Sequence, residues 1–525
     1  MDPILIAIAF GLGVAVFQIG LPPLIGFLLA GFALNAMGFG GNNTLMVIGD
    51  LGVTLLLFSI GLKLKVKDLL QPEVWGGATV HMLLMIGFNF LILLGMMSLA
   101  IPLIDQASFQ TIALLAFALS FSSTVFAVKI LDSRGQMESF YGRSAIGILI
   151  MQDIFAVIFL AVSSGKVPSI YAFGLLLLPF LKPILYRLLD KVGHDELLAL
   201  YGVFLALVLG AWLFEAVNMK PDLGALLVGM LLANHPKAAE MAKTLLNFKE
   251  LLLVVFFLNI GLSGLPTQES VLMAALLLMI LPIKALLYHL ILTFFHLRSR
   301  TALLATSTLT NYSEFGLIVG AVGVTMGVID QDWVTAIALA LTGSFIIASV
   351  VNSRFASIYL PIRTFLKKIE RQTLHVEDHP MQPGDAQIII LGMGRVGTGA
   401  YGYLNRHQEK KLLGVELNHD RVDGHKALDR NVIQGDATDS EFWEKARMSH
   451  KIELVLLAMP LHHGNVYATE RLLAMGYDKQ IAAIASHEDD AEELRQMGVD
   501  VVFNFYSEAG AGFAEHICKT PFLKH

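Results

Sequence analysis

Asp153 lies in Ile148-Leu149-Ile150-Met151-Gln152-Asp153-Ile154-Phe155-Ala156, near the middle of an apolar stretch long enough to cross a bilayer. A charged side chain at that depth is costly, and intramembrane ionisable residues mark ion or proton pathways. A carboxyl group there can hold a proton or a monovalent cation, but hardly both, and that competition is the chemistry of exchange. Lys284, in Leu281-Pro282-Ile283-Lys284-Ala285, is the second mid-span charge and the obvious partner or competing cation for Asp153. Two polar runs sit at the same depth: Ser120-Phe121-Ser122-Ser123-Thr124 and Thr308-Leu309-Thr310-Asn311-Tyr312-Ser313-Glu314. A continuous helix gains nothing from polar side chains there. Interrupted helices in corresponding positions of two opposed halves instead point to an inverted-repeat transporter with its site at the midplane. Glu314 reads equally as the cap of a half-helix N-terminus or as a cation contact. His81, His289 and His296 are scattered without metal-ligand spacing and read as structural. No nucleophile–base pair or hydrolytic motif accompanies them, so the chain reads as a transporter rather than an enzyme.

A second constellation lies near the C-terminus. The buried-strand pattern Ala386 to Leu391 runs into Gly392-Met393-Gly394-Arg395-Val396-Gly397, and a strand from Lys411 to Glu416 follows. Such glycines suit a tight turn, a close phosphate approach and helix–strand packing, with a helix N-terminus facing the phosphate. Glu416 stands where an acid hydrogen-bonds a ribose hydroxyl and repels a 2′-phosphate, which favours NAD(H) or AMP over NADP(H). Further strands are expected at Asn431–Gln434, Glu453–Ala458, Ile481–Ser486 and Val499–Phe503, completing a six-strand Rossmann-type domain.

The elements that position these residues follow from composition. The chain has 525 residues, 55% of them hydrophobic and 15% charged, against about 25% charged in an ordinary soluble domain. Residues 1–355 hold 37 charged side chains, whereas the shorter stretch 356–525 holds 43. The first part is too apolar to be soluble and the second is an ordinary globular domain. About 13 apolar stretches are expected to span the bilayer, centred near residues 11, 29, 53, 88, 119, 153, 177, 206, 229, 254, 283, 314 and 345. Alternate loops carry 14 Lys and Arg, from Lys63, Lys65 and Lys67 to Arg298 and Arg300, whereas the intervening loops carry only Lys166 and Lys220. Because cytoplasmic loops collect basic residues, the N-terminus is expected outside and the C-terminal domain inside. The first span has no cationic region before it and reads as retained. The single Cys518 excludes an intramolecular disulfide framework, and a net charge of −6 without a basic stripe excludes nucleic-acid binding. The expected organisation is a membrane domain over 1–360, a linker over 361–383 and a Rossmann-type domain over 384–525. The fold class is therefore a polytopic α-helical membrane protein, with inverted repeats and two broken helices, followed by a Rossmann-type α/β domain.

These residues resemble the Kef-type branch of the monovalent cation:proton antiporters, bacterial inner-membrane potassium/proton exchangers with a cytoplasmic KTN (RCK) nucleotide-binding domain. The resemblance covers nearly the whole chain. It rests on Ser122-Ser123-Thr124, Gly142-Arg143-Ser144 leading to Gln152-Asp153, Phe248-Lys249 leading to Phe256-Phe257, and Ser313-Glu314-Phe315. In the tail it rests on the Gly392–Gly397 loop and Gly435-Asp436-Ala437-Thr438. Gln152-Asp153 looks like the Kef pattern, where electrogenic sodium exchangers tend to carry two acids. The resemblance implies that Asp153 is the cation/proton carboxylate, with Gln152, Ser122, Ser123, Thr124, Lys284 and Glu314 around it and K+ as the transported ion. It implies an AMP- or NAD(H)-type regulatory site at Gly392, Gly394, Arg395, Val396, Gly397, Glu416, Asp436 and Ala437. It also implies a homodimer in the lipid bilayer, with room for an ancillary cytoplasmic subunit. The chain departs from the family where the acidic regulatory loop would lie, since Asn234 to Lys243 is basic, and Tyr403 stands where the glutathione-binding Arg would align. A ligand-gated potassium channel is the alternative class, disfavoured because no Thr-Val-Gly-Tyr-Gly filter is present. A sodium/proton antiporter is the alternative ion assignment.

Overall fold

The computed structural model describes residues 3–518 except 20–22, 42, 64–68, 164–168, 194–195, 220, 263, 438, 450 and 475. Lys65, Lys67, Lys166, Lys220 and Thr438 lie outside the described residues. The chain divides into two units, Met1–Ala127 with Ser144–Arg371, and Val128–Arg143 with Gln372–His525.

The described regular elements of the first unit are all helices, as hydrocarbon demands: with no water to satisfy backbone groups, each segment must close its own hydrogen bonds. Five described helices are long and apolar enough to cross a membrane: Thr44–Leu62, Pro72–Ser98, Glu196–Ala216, Gln268–Phe294 and Gln331–Ser353. Shorter apolar helices stand beside them, including Pro3–Gln18, Pro23–Ala36 and Leu223–Leu232. The apolar stretch near residue 177 begins as a tight 3-10 turn, Ile170–Leu177, before the helix Leu178–Lys191. The fifth and twelfth stretches are each split. Phe109–Ala118 is followed by non-helical backbone and then Thr124–Ser133, and Ser299–Leu309 is followed by Glu314–Thr325. Large apolar side chains such as Phe10, Phe17, Leu83 and Leu91 point outwards, a surface suited to lipid.

The inverted repeat is legible in glycine crossings. A Cβ on Gly31 would lie 2.7 Å from Gly261 Cα, and one on Gly229 would lie 3.0 Å from Gly61 Cα. Likewise Gly26 meets Gly13, and Gly224 meets Gly210. Gly13–Gly26 thus has a counterpart in Gly210–Gly224, and Gly31–Gly261 in Gly229–Gly61, each seven stretches on. Small residues at these crossings let backbones approach closely, as van der Waals packing in lipid requires.

The second unit carries a six-stranded parallel sheet: β1 Ile388–Leu391, β2 Leu412–Glu416, β3 Val432–Gln434, β4 Leu454–Leu457, β5 Gln480–Ala485 and β6 Val501–Asn504. Their order is β3-β2-β1-β4-β5-β6. Ile389, Leu391, Val455, Leu457, Phe442 and Trp443 fill one layer of the core, and Ile388, Ile390, Met393 and Tyr401 the other. The segment Val128–Arg143 belongs to this unit. Gln136 donates to Asp436 Oδ2 at 3.1 Å, Asn418 donates to Glu138 Oε2 at 3.2 Å, and Arg143 pairs with Glu377.

Gly261→Ala puts a methyl group against Leu28 O and Gly31 Cα, both backbone atoms that cannot swing away. It should cost about 1–3 kcal/mol and lower the melting temperature of the purified protein in detergent. Gly87→Ala, where a Cβ meets nothing within 4 Å on a helix, should leave the melting temperature unchanged or slightly higher. Equal melting temperatures for the two variants would show that the crossings are loose.

Candidate functional site

The two helix breaks meet inside the first unit. Each break ends one half-helix, leaving carbonyl groups without partners, and begins another, leaving N–H groups without partners. In a water-free interior each such group costs several kcal/mol unless it is paired.

The carbonyls are served by Lys284. Its ammonium, fully buried, donates to Phe121 O at 2.6 Å in one break and to Asn311 O at 2.8 Å in the other. It also lies 5.2 Å from the centre of the Tyr312 ring. Lys284 belongs to Leu281–Phe294, opened by Pro282 in the first turn, where a missing N–H does no harm. Sequence reasoning casts Lys284 as the partner of Asp153 or as a competing cation. Among the described residues the two form no ion pair, because the ammonium is held at the helix ends.

The N–H groups are served from across the crossing. Ser123 N–H donates to Asn311 Oδ1 at 2.7 Å, and Ser122 N–H donates to Gln152 Oε1 at 2.9 Å. The Ser313 hydroxyl caps Glu314–Thr325 by accepting from Phe315 N–H at 3.1 Å. Glu314 reaches the Ser123 side chain and the Val125 backbone N–H, at the start of the other second half-helix. A carboxyl group at that place lies where a helix dipole favours an anion. Glu314 Oε1 has no hydrogen-bond partner among the described residues.

Asp153 projects to this crossing from Phe140–Ser163. Thr124 Oγ1 donates to its Oδ2 at 2.9 Å, and its Oδ1, buried, has no hydrogen-bond partner among the described residues. Glu314 is close enough for the two carboxyl groups to interact electrostatically. The structure thus brings together Ser122, Ser123, Thr124, Gln152, Asp153, Lys284 and Glu314, and presents two buried carboxyl groups with an open oxygen on each. Sequence reasoning missed Asn311 as a cross-brace and Tyr288, whose hydroxyl contacts Ser122 Oγ at 2.9 Å and Gln152 Nε2 at 2.8 Å. Tyr288 follows Lys284 by four residues, on the same helix face, and that spacing was the available signal.

In the second unit, ligands of a doubly wound sheet bind where the strand order reverses, here between β1 and β4. Gly392 follows β1 with φ +90°, which a side chain would strain, and a Cβ on Gly397 would fall 1.9 Å from Gly392 O. Gly394 precedes the first turn of Arg395–His407, which places Arg395 and Val396 at a helix N-terminus. Glu416 closes β2, accepting from Met393 N–H at 2.9 Å and Asn418 N–H at 3.1 Å. Its carboxylate is therefore fixed beside the loop, with lone pairs left for a ribose hydroxyl. Asp436 follows β3 and accepts from Gln136, whereas the Ala437 carbonyl is taken by the Trp443 indole at 2.7 Å. Tyr403 stacks on His407 at the exposed surface of its helix.

Opposed broken helices around a buried carboxylate, joined in one chain to a Rossmann-type domain, define a membrane cation:proton exchanger with a nucleotide-binding regulatory domain. The chain belongs to the family described as "Sodium/hydrogen exchanger, transmembrane", whose sequence model matches residues 4–357, and a TrkA-N domain matches residues 388–505. It is similar to the glutathione-regulated potassium-efflux system protein KefC of Klebsiella pneumoniae (strain 342), 28% identical over 512 residues that cover 92% of this chain and 79% of that protein. It is also similar to the KefC protein of Salmonella schwarzengrund (strain CVM19633), 26% identical over 508 residues, 92% of this chain and 78% of that one. Among solved structures, the sodium proton antiporter MjNhaP1 from Methanocaldococcus jannaschii matches 68% of this chain and 96% of its own at 12% identity and a TM-score of 0.47. The TrkA-N domain of inner membrane protein ybaL from Escherichia coli matches 25% of this chain and 96% of its own at 21% identity and a TM-score of 0.23.

Lys284→Met keeps the length of the side chain but removes the donors to two buried carbonyls. Leaving such acceptors unpaired costs about 1–3 kcal/mol each, so the melting temperature in detergent should fall by several degrees. A variant as stable as wild type would show that the breaks do not depend on the ammonium.

Proposed function

We propose that the chain exchanges potassium for protons across a bacterial inner membrane, with Asp153 as the carboxyl group that trades one for the other. The observation that carries this reading is the state of Asp153: one oxygen anchored by Thr124, the other buried and without a partner, beside a second carboxyl group whose Oε1 is also open. A dehydrated monovalent cation seeks oxygen ligands, and Asp153, Glu314 and the Thr124 hydroxyl supply them. A proton on Asp153 removes the charge that holds the cation, so the two ligands exclude each other. Because Lys284 is engaged by the helix ends, it does not neutralise Asp153 and leaves the carboxylate for the transported ion. Potassium is supported by the KefC relatives, whose name describes potassium efflux. Sodium is the second reading, favoured by the description of the matching family.

The tail in this reading is cytoplasmic and takes NAD(H) or AMP at Gly392–Gly397, with Glu416 on the ribose and Asp436 at the rim. It regulates transport without catalysing a reaction of its own. The protein works as a homodimer, with an ancillary cytoplasmic subunit compatible with the same arrangement. Coupling between such a regulatory site and a two-state transporter is typically about 1–3 kcal/mol.

Purified protein in liposomes should show proton flux driven by a potassium gradient, and Asp153→Asn should abolish it while the variant stays folded. Asparagine keeps the volume but cannot exchange a proton for a cation. Undiminished potassium-dependent flux in that variant would overturn the assignment, and flux with sodium alone would decide for the second reading. Calorimetry on the full-length protein should give NAD or AMP an affinity at least about tenfold above that of NADP, because Glu416 repels a 2′-phosphate. Equal affinities would remove Glu416 from the ribose.

A further inference from the structure

His81 projects from Pro72–Ser98 and is fully buried. Its ring lies flat on Tyr288, with centroids 3.4 Å apart and 9° between the planes. Tyr288 closes a ring of hydrogen bonds beside the ion site. Its hydroxyl accepts from Gln152 Nε2 and shares a hydrogen bond with Ser122 Oγ, and Gln152 Oε1 accepts from Ser122 N–H. Those three side chains join the first helix break to the residue before Asp153. Among the described residues neither ring nitrogen of His81 has a side-chain hydrogen-bond partner, and the backbone and ammonium of Lys284 are the polar groups that act on the ring. What the imidazole contributes towards the ion site is a flat face, laid on the Tyr288 ring.

We propose that His81 is a positioning residue for cation binding. The stack holds the Tyr288 ring in one orientation, the hydroxyl then holds Gln152 and Ser122, and the pair Thr124–Asp153 is presented in a fixed geometry. His81 touches neither the ion nor Asp153 in this arrangement and acts through Tyr288. The inference rests on the reading of Asp153 as the exchanging carboxyl group.

The test is potassium-driven proton flux in liposomes for wild type, His81→Leu, His81→Phe, Tyr288→Phe and Asp153→Asn. His81→Leu removes the flat face and should raise the apparent KM for potassium about three- to tenfold, the range a stacked aromatic pair supports, with the maximal rate little changed. His81→Phe keeps the face and should restore a KM close to wild type. Tyr288→Phe keeps the stack but loses the hydroxyl, and should raise KM as His81→Leu does. The double variant His81→Leu with Tyr288→Phe should add little beyond either single one. A wild-type KM in His81→Leu, whatever its melting temperature, overturns the proposal. So does a KM in His81→Phe as high as in His81→Leu, since the nitrogens rather than the face would then matter. If His81→Leu does not fold, the decision passes to Tyr288→Phe, where a wild-type KM overturns the proposal. Flux retained in Asp153→Asn would instead sink the reading of the site itself, a result separable from the others.

Discussion

One ammonium group holds the membrane unit's polar centre together. Two helices are broken at the same depth, and each break exposes backbone groups in a medium that cannot solvate them. Lys284 binds a carbonyl from each break, so a single positive charge compensates the negative ends of two half-helices at once. This settles what the charge is for. A lysine committed to two carbonyls is not spent on Asp153, and the carboxylate keeps an open oxygen. Asn311 completes the crossing by accepting from Ser123 N–H while donating to Thr308 O.

The rest of the unit allows the crossing to exist. Glycine pairs at Gly31–Gly261 and Gly61–Gly229 bring backbones close enough for a compact frame of whole helices. Irregular backbone survives at membrane depth only where protein surrounds it, and here Ser122, Ser123, Asn311 and Glu314 are all buried. The frame is built from small residues and dispersion contacts, the centre from hydrogen bonds and charge. The acid on the N-terminal side, Glu314, mirrors the base on the C-terminal side, Lys284, as the helix dipoles require.

In the second unit the glycine loop and Glu416 are parts of one device. The Glu416 carboxylate fixes the loop by accepting from Met393 N–H. The same unit holds Val128–Arg143, the stretch of chain that leads from the first broken helix to the helix of Asp153. Its Gln136 rests on Asp436, at the edge of the proposed nucleotide site.

The sequence by itself determined whatever depends on local pattern. Polar runs at Ser120–Thr124 and Thr308–Glu314 announced helix breaks because a continuous membrane helix has no use for them. The six strands and the glycine turn at Gly392–Gly397 were legible because alternating burial and backbone freedom are written in neighbouring residues. Asp153 stood out because a lone acid in an apolar stretch is costly. The tertiary structure alone decided which distant groups meet. Lys284, read as a partner of Asp153 or a competing cation, bonds a carbonyl 163 residues away, and His81, read as structural, lies on Tyr288. Hydrogen bonds and ring contacts between far-separated residues depend on the path of the whole chain: local spacing puts Tyr288 on the face of Lys284 but does not name the partners of either.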